Sequence, residues 1–222
     1  MVIWALWKNR NDIIWNQKGM ESSEVLVSAH LCFNQWKSAQ DKTFDNYLGF
    51  MTQADGKEHL ELPTEGKVKI NTDAAIFEES RRFSYAFIAR NHRGDLVEAV
   101  SSCKQGIVDP VLAEAIGVRE ALSWVKERGW QVVDLETDCL ALIQAIRCST
   151  INLSYLGRVV DECRSLLLLL KERQITLNFV KRSANKVAHF LARQSSSIAD
   201  RIWYGGNTYP DLSHVMLNDL KF

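Results

Sequence analysis

Only three prolines interrupt the 222 residues, net charge is absent, and apolar stretches such as Met1 to Trp7 and Leu166 to Leu170 are short. Five leucines between Arg164 and Lys171 cannot span a bilayer, and the apolar start from Met1 to Trp7 breaks at Lys8, so neither a transmembrane segment nor a signal peptide is expected. A cytosolic or nuclear protein with no membrane partner follows. The cysteines (Cys32, Cys103, Cys139, Cys148, Cys163) are odd in number and lack a C-x-x-C spacing, which excludes a zinc module and a disulfide framework. With 27 basic and 27 acidic residues the chain is no globally basic nucleic-acid binder. At 25.3 kDa it is also too short for a multidomain polymerase. Composition that is 46% hydrophobic and 24% charged instead describes a globular chain able to bury a core.

Charge distribution says more than its total. From Arg164 to Arg193 seven cations (Arg164, Lys171, Arg173, Lys181, Arg182, Lys186, Arg193) face one acid, Glu172. Such a strip can follow phosphates, or it can be a solvated face.

Four organisational segments are legible. Residues 1–50 predict a helical hairpin: Ile3, Leu6, Trp7, Ile13 and Ile14 recur at helical spacing, and Val25, Ala29, Cys32, Trp36 and Ala39 form a second stripe. Residues 51–66, polar and punctuated by Gly56, Pro63 and Gly66, read as a linker. From 67 to 199 the pattern predicts an α/β domain. Alternation over Lys67–Ala75, Phe83–Arg90 and Asp95–Ser102 gives three antiparallel strands, with a turn at Asn91-His92-Arg93-Gly94. A helix opening at Pro110, a strand Val132–Thr137, helices over Leu140–Ile146 and Tyr155–Lys171, a strand Ile175–Val180 and a helix Ala184–Arg193 capped by Ser183 follow. The order β-β-β-α-β-α-α-β-α predicts a mixed five-stranded sheet with helices on both faces. Residues 200–222 are assigned to a C-terminal tail.

Three acids stand out. Asp73 and Asp138 each end a strand; if those strands are parallel neighbours, both carboxylates emerge at the carboxyl edge of the sheet, where α/β proteins bind ligands. Either alone also reads as a turn former or helix cap. Glu114 falls on the apolar arc of its helix, among Val111, Ala115, Val118 and Leu122, so it points to the sheet and needs a cation or polar cleft. Arg119 or Arg90 could supply a salt bridge. Convergence of all three would instead suit hard divalent cations, Mg²⁺ or Mn²⁺, and a metal-dependent nuclease.

These motifs, Ile70-Asn71-Thr72-Asp73-Ala74-Ala75, Ala113-Glu114-Ala115, Glu136-Thr137-Asp138 and Asn185-Lys186-Val187-Ala188-His189-Phe190-Leu191-Ala192, resemble those of the ribonuclease H family. The likeness is greatest to the plant type, and Trp7-Lys8-Asn9-Arg10-Asn11 resembles the stretch preceding that domain in plant non-LTR retrotransposon polyproteins. The resemblance implies a ribonuclease H-like fold, endonucleolytic hydrolysis of the RNA strand of RNA–DNA hybrids, and two divalent ions. It implies that Asp73 bridges both ions, with Glu114 and Asp138 as further ligands. The fourth acid of the family is replaced by His189, an imidazole that suits Mn²⁺ better than Mg²⁺ if it ligates and is otherwise a solvated helical residue. Asn71, Lys181, Arg182, Asn185 and Lys186 are the expected nucleic-acid contacts. Two departures accompany His189: the family's glycine-rich loop before the last helix is missing, and Ala74 replaces a glycine. The alternative is a module that keeps the fold and binds nucleic acid, or a partner, with an impaired site.

Overall fold

The computed structural model describes residues 2–30, 56–148, 154–195, 200–207 and 209–219. The chain divides into two compact units, Met1–Asn46 and Tyr47–Phe222.

In the first unit, helix α1 spans Val2–Asn16, and residues 22–30 form helical α2. Asn9 fixes the turn between them: its side-chain amide donates to the Met20 carbonyl, and its oxygen accepts the Met20 N–H at 2.7 Å. The helices meet through small residues, Ala5 against Val25 and Ala29. The large apolar residues that predict α1, Ile3, Leu6, Trp7, Ile13 and Ile14, are exposed. Cys32, Trp36 and Ala39 of the expected second stripe lie outside the described residues.

The second unit is built on strands β1 (Val68–Phe77), β2 (Arg82–Arg90), β3 (Leu96–Gln105), β4 (Val132–Thr137), β5 (Gln174–Phe179) and β6 (Arg201–Tyr204). They form one mixed sheet in the order β5-β4-β1-β2-β3-β6, with β5, β4 and β1 parallel and the rest antiparallel. Helices α3 (Pro110–Arg128), α4 (Leu140–Arg147), α5 (Tyr155–Leu169), α6 (Lys186–Gln194) and α7 (Pro210–Asp219) complete it. None of the helices among the described residues is long and apolar enough to cross a membrane.

Local chemistry sets the limits of α3. Asp109 caps it by accepting the Val111 N–H, Pro110 supplies a helical φ at the first turn, and Gly129 closes it in the left-handed conformation at φ 70°. Burial is wider than the predicted stripe, because α3 packs on the sheet with one side and on α5 with another. Gly117 permits the close approach: a Cβ there would lie 3.1 Å from the Thr72 hydroxyl. On the opposite face, Val187, Ala188, Leu191 and Ala192 of α6 pack on Ala75, Ala86, Ile88 and Ala99.

Three assignments change. The last helix is preceded by a 3₁₀ turn, Arg182–Ala184, and α6 starts after Asn185; Ser183 does not cap it, because its hydroxyl donates to the Glu58 carbonyl instead. The segment beyond residue 199, expected as a tail, adds β6 as a sixth strand beside β3 and the helix α7, whose Leu212 joins the core with Trp203. Part of the expected linker is built into the fold: Lys57 bridges Val180 at the end of β5, its carbonyl accepts the Lys181 N–H at 2.9 Å, and Leu60 is 4% exposed.

Candidate active site

Register places the first two acids. Thr72 of β1 stands level with Thr137 of the parallel β4, so Asp73 and Asp138 follow side by side at the same end of the sheet. Glu114, in the second turn of α3, reaches the same point, and its Oε1 accepts the Ala74 N–H at 3.2 Å. One ligand oxygen from each of Asp73, Glu114 and Asp138 lies within 4.8 Å of the others. Neither candidate salt bridge to Glu114 forms: Arg119 pairs with Glu120 and Glu162, and Arg90 with Asp219.

Burial and mutual repulsion both resist ionisation here. Asp73 is fully buried, and desolvation together with the charge of Asp138 pushes its carboxyl up to about 8. Burial, then the charges of Asp73 and Asp138, raises Glu114 well above the usual carboxylate range. Asp73 Oδ1 and Glu114 Oε2 are buried without a hydrogen-bond partner. Orphaned carboxylate oxygens in one buried cluster are costly unless a cation satisfies them, so the donor set, all hard oxygen, fits a divalent ion such as Mg²⁺ or Mn²⁺.

His189 is brought to the cluster but not into that group of three. Its Nδ1 lies 2.8 Å from Asp73 Oδ2 and 3.4 Å from a guanidinium nitrogen of Arg182. Burial, followed by the charges of Arg182 and Arg193, lowers its affinity for a second proton. Arg182 also faces Asp138, Nε to Oδ2 at 3.5 Å.

The remaining expected contacts divide. Lys186 and Arg182 are exposed beside the site, and Lys181 is exposed but ion-paired with Glu58. Asn71 and Asn185, each 1% exposed, do not present their side chains on the surface. Asn185 donates its amide to the Thr72 carbonyl at 2.9 Å and to Asp138 Oδ1 at 3.2 Å, tying the start of α6 to two of the acid-bearing strands. Asn71 donates to Glu136, which also holds Lys69 at 2.6 Å in a buried ion pair.

Sequence reasoning missed one buried pair and named Arg193 only as part of the basic strip, without a place at the site. The Lys69–Glu136 pair gives no local signal, because its members lie on separate strands, β1 and β4, and each alone reads as a solvated residue. Arg193 carries one: at four residues after His189 on α6 it shares a face with it, and both line a cleft of about 210 Å³ with Ala74, Pro110, Glu114 and Arg182.

A mixed sheet of this order, helices on both faces and a triad of acids at the carboxyl edge of its two central parallel strands define a ribonuclease H-like domain. Solved structures agree on the fold. RNase H1 of the halophilic archaeon Halobacterium salinarum superposes with a TM-score of 0.51 at 18% identity, over 59% of this chain and 97% of its own. LC11-RNase H1, isolated from compost by a metagenomic approach, gives 0.52 at 13% identity over 59% of this chain and 95% of its own. LC9-RNase H1, described as a type 1 enzyme with the type 2 active-site motif, gives 0.50 at 13% over 70% and 87%. Among curated proteins no sequence matches. The model of the reverse transcriptase-like family matches residues 71–195, more than half of the chain, and the chain belongs to that family.

Proposed function

We propose that the chain is a nucleic-acid-binding, divalent-metal-dependent endoribonuclease that hydrolyses the RNA strand of RNA–DNA hybrids. The observation that carries this reading is the convergence of Asp73, Glu114 and Asp138 with two buried oxygens left unpaired. A divalent cation bound there supplies Lewis acidity toward a phosphodiester and toward attacking water. The protein contributes the rest. Asn185 and the Ala74 N–H hold Asp138 and Glu114 in place, and Arg182 and Lys186 offer exposed cations for flanking phosphates. Hybrid selectivity, a plant-type non-LTR retroelement origin and a nuclear or cytoplasmic setting belong to the same proposal; the motifs that resemble the ribonuclease H family and the Trp7-Lys8-Asn9-Arg10-Asn11 stretch support it.

The test is cleavage of a labelled RNA–DNA hybrid with Mg²⁺ or Mn²⁺, with internal product lengths expected. Asp73→Asn should lower the rate by at least about 10²-fold, because a nearly isosteric amide cannot supply the anionic oxygens. Retained cleavage in that variant would show that the site is misassigned. A second reading, a nucleic-acid-binding module without cleavage, draws on His189 in place of the family's fourth acid. Hybrid binding with no cleavage in either metal would favour it.

A further inference from the structure

We propose that the centre takes a single divalent cation, with His189 and Arg182 standing where a second would be expected: His189 as the hydrogen-bond donor that fixes Asp73, and Arg182 as a permanent positive charge beside Asp138. This rests on the metal-dependent reading of the site and specifies the composition of its charge.

The six carboxylate oxygens are not equivalent. Glu114 Oε1 accepts the Ala74 N–H, Asp138 Oδ1 accepts the Asn185 amide, Asp138 Oδ2 faces Arg182, and Asp73 Oδ2 meets His189 Nδ1. Only Asp73 Oδ1 and Glu114 Oε2 are buried and unpartnered. The unmet demand for positive charge therefore falls on one oxygen of Asp73 and one of Glu114. A carboxylate that bridges two ions gives one oxygen to each, and Asp73 has one such oxygen to give.

Imidazole chemistry reinforces the count. With a cation on Oδ1, Asp73 is ionised and acceptor-only, so the 2.8 Å approach requires the proton of His189 on Nδ1. The ring's lone pair then sits on Nε2, across the ring from Asp73, and His189 cannot share an ion with Oδ2. Carboxylates that ligate a metal are themselves held by outer hydrogen bonds of this kind. Charge balance points the same way. Three carboxylates are neutralised by one divalent ion and the Arg182 guanidinium, whereas two ions would leave the site strongly positive.

The experiment counts Mn²⁺ on the full chain without nucleic acid, by calorimetric titration and by electron paramagnetic resonance. One ion per chain is expected. In His189→Asp with Arg182→Ala, which restores an acid and removes the competing cation, two are expected. Long-range ¹H–¹⁵N spectra of the unaltered Mg²⁺-loaded chain should place the His189 proton on Nδ1, a readout that does not depend on the variant folding. Two ions on the unaltered chain, one ion on both proteins, or an unprotonated Nδ1 overturns the proposal while leaving the nuclease reading intact. No bound Mn²⁺ at all overturns both.

Discussion

At Asp73, burial and neighbouring charge oppose ionisation, and the opposition couples the metal-free fold to pH. An unfolded aspartate loses its proton near 3.8, whereas Asp73 in the folded chain keeps it to about 8. Between those values the unfolded state binds fewer protons than the native state, so stability falls as pH rises, by up to about 1.4 kcal/mol per pH unit for one proton. The direction is opposite to that of a salt-bridged aspartate. We therefore expect urea midpoints of the metal-free chain to decline from pH 4 to 8, the decline to shrink in Asp73→Asn, and saturating Mg²⁺ to flatten it in the unaltered chain. A midpoint that rises with pH over that window would refute the assignment. The convergence behind this behaviour was legible in part: Asp138 follows the end of β4 and Glu114 has the inward helical phase, as expected, whereas Asp73 does not end its strand, because β1 runs on to Phe77 and only its pairing with β4 stops at Thr72. The partner of His189 was not legible: ring direction depends on Asp73 and Arg182, which meet it only across the fold.

Elements with strong local signals fall where their sequence predicts. Helix α3 begins at Pro110 and stops before Gly129, and β4 covers Val132–Thr137, because caps and apolar alternation are written in neighbouring residues. The passage from β5 to α6 is different. Ser183 has the chemistry of an N-cap, yet residues 57 and 58 compete for it and for Lys181, and the helix starts later, at Lys186. Beyond residue 199 the signal was present but short: Ile202 and Trp203 in a four-residue strand, then Leu212, Val215 and Met216 at helical spacing. The β5 to α6 passage also ranks its cations. Lys181 is already paired with Glu58; Arg182 approaches Asp138 through Nε at 3.5 Å but keeps most of its side chain exposed, and Lys186 is exposed as well. Arg182→Ala with Lys186→Ala should weaken hybrid binding and reduce the slope of log affinity against log salt by about one for each phosphate no longer neutralised. Lys181→Ala should change the slope less; an unchanged slope in the double variant would assign these residues to solvation.

At the scale of the whole molecule, two segments that read as accessory, the C-terminal tail and the linker before β1, are structural. Arg90, 2% exposed, pairs with Asp219 near the end of α7 at 3.0 Å, so Asp219→Ala should leave a buried guanidinium unpaired and cost about 3–5 kcal/mol. Asp219→Leu with Arg90→Met should recover much of that loss in denaturant melts, since it removes both charges. The other segment precedes β1. Gly56 seats the chain against Phe179, Leu60 and Pro63 are buried, Lys57 lies in the field of Glu136 and Asp134, and Glu61 in that of Lys69. Residues 56–64 thus border the polar face of β1 and β4 and anchor the passage that carries Arg182 and Asn185 to the acids. The first unit, by contrast, closes on its own small cluster of Ala5, Val25 and Ala29. Two deletions separate these roles. Removal of residues 1–45 should leave the second unit folded and hybrid cleavage within about twofold, because it spares the segment from Gly56 onward. Removal of residues 1–65 strips Leu60, whose burial alone is worth about 1.5–3 kcal/mol, and opens Lys69 and Glu136 to water. That shorter chain should melt at markedly lower urea and lose cleavage in parallel. Equal stability of the two deletions would mean that residues 56–64 are the linker their composition predicts, and unfolding of the first deletion would join the two units into one.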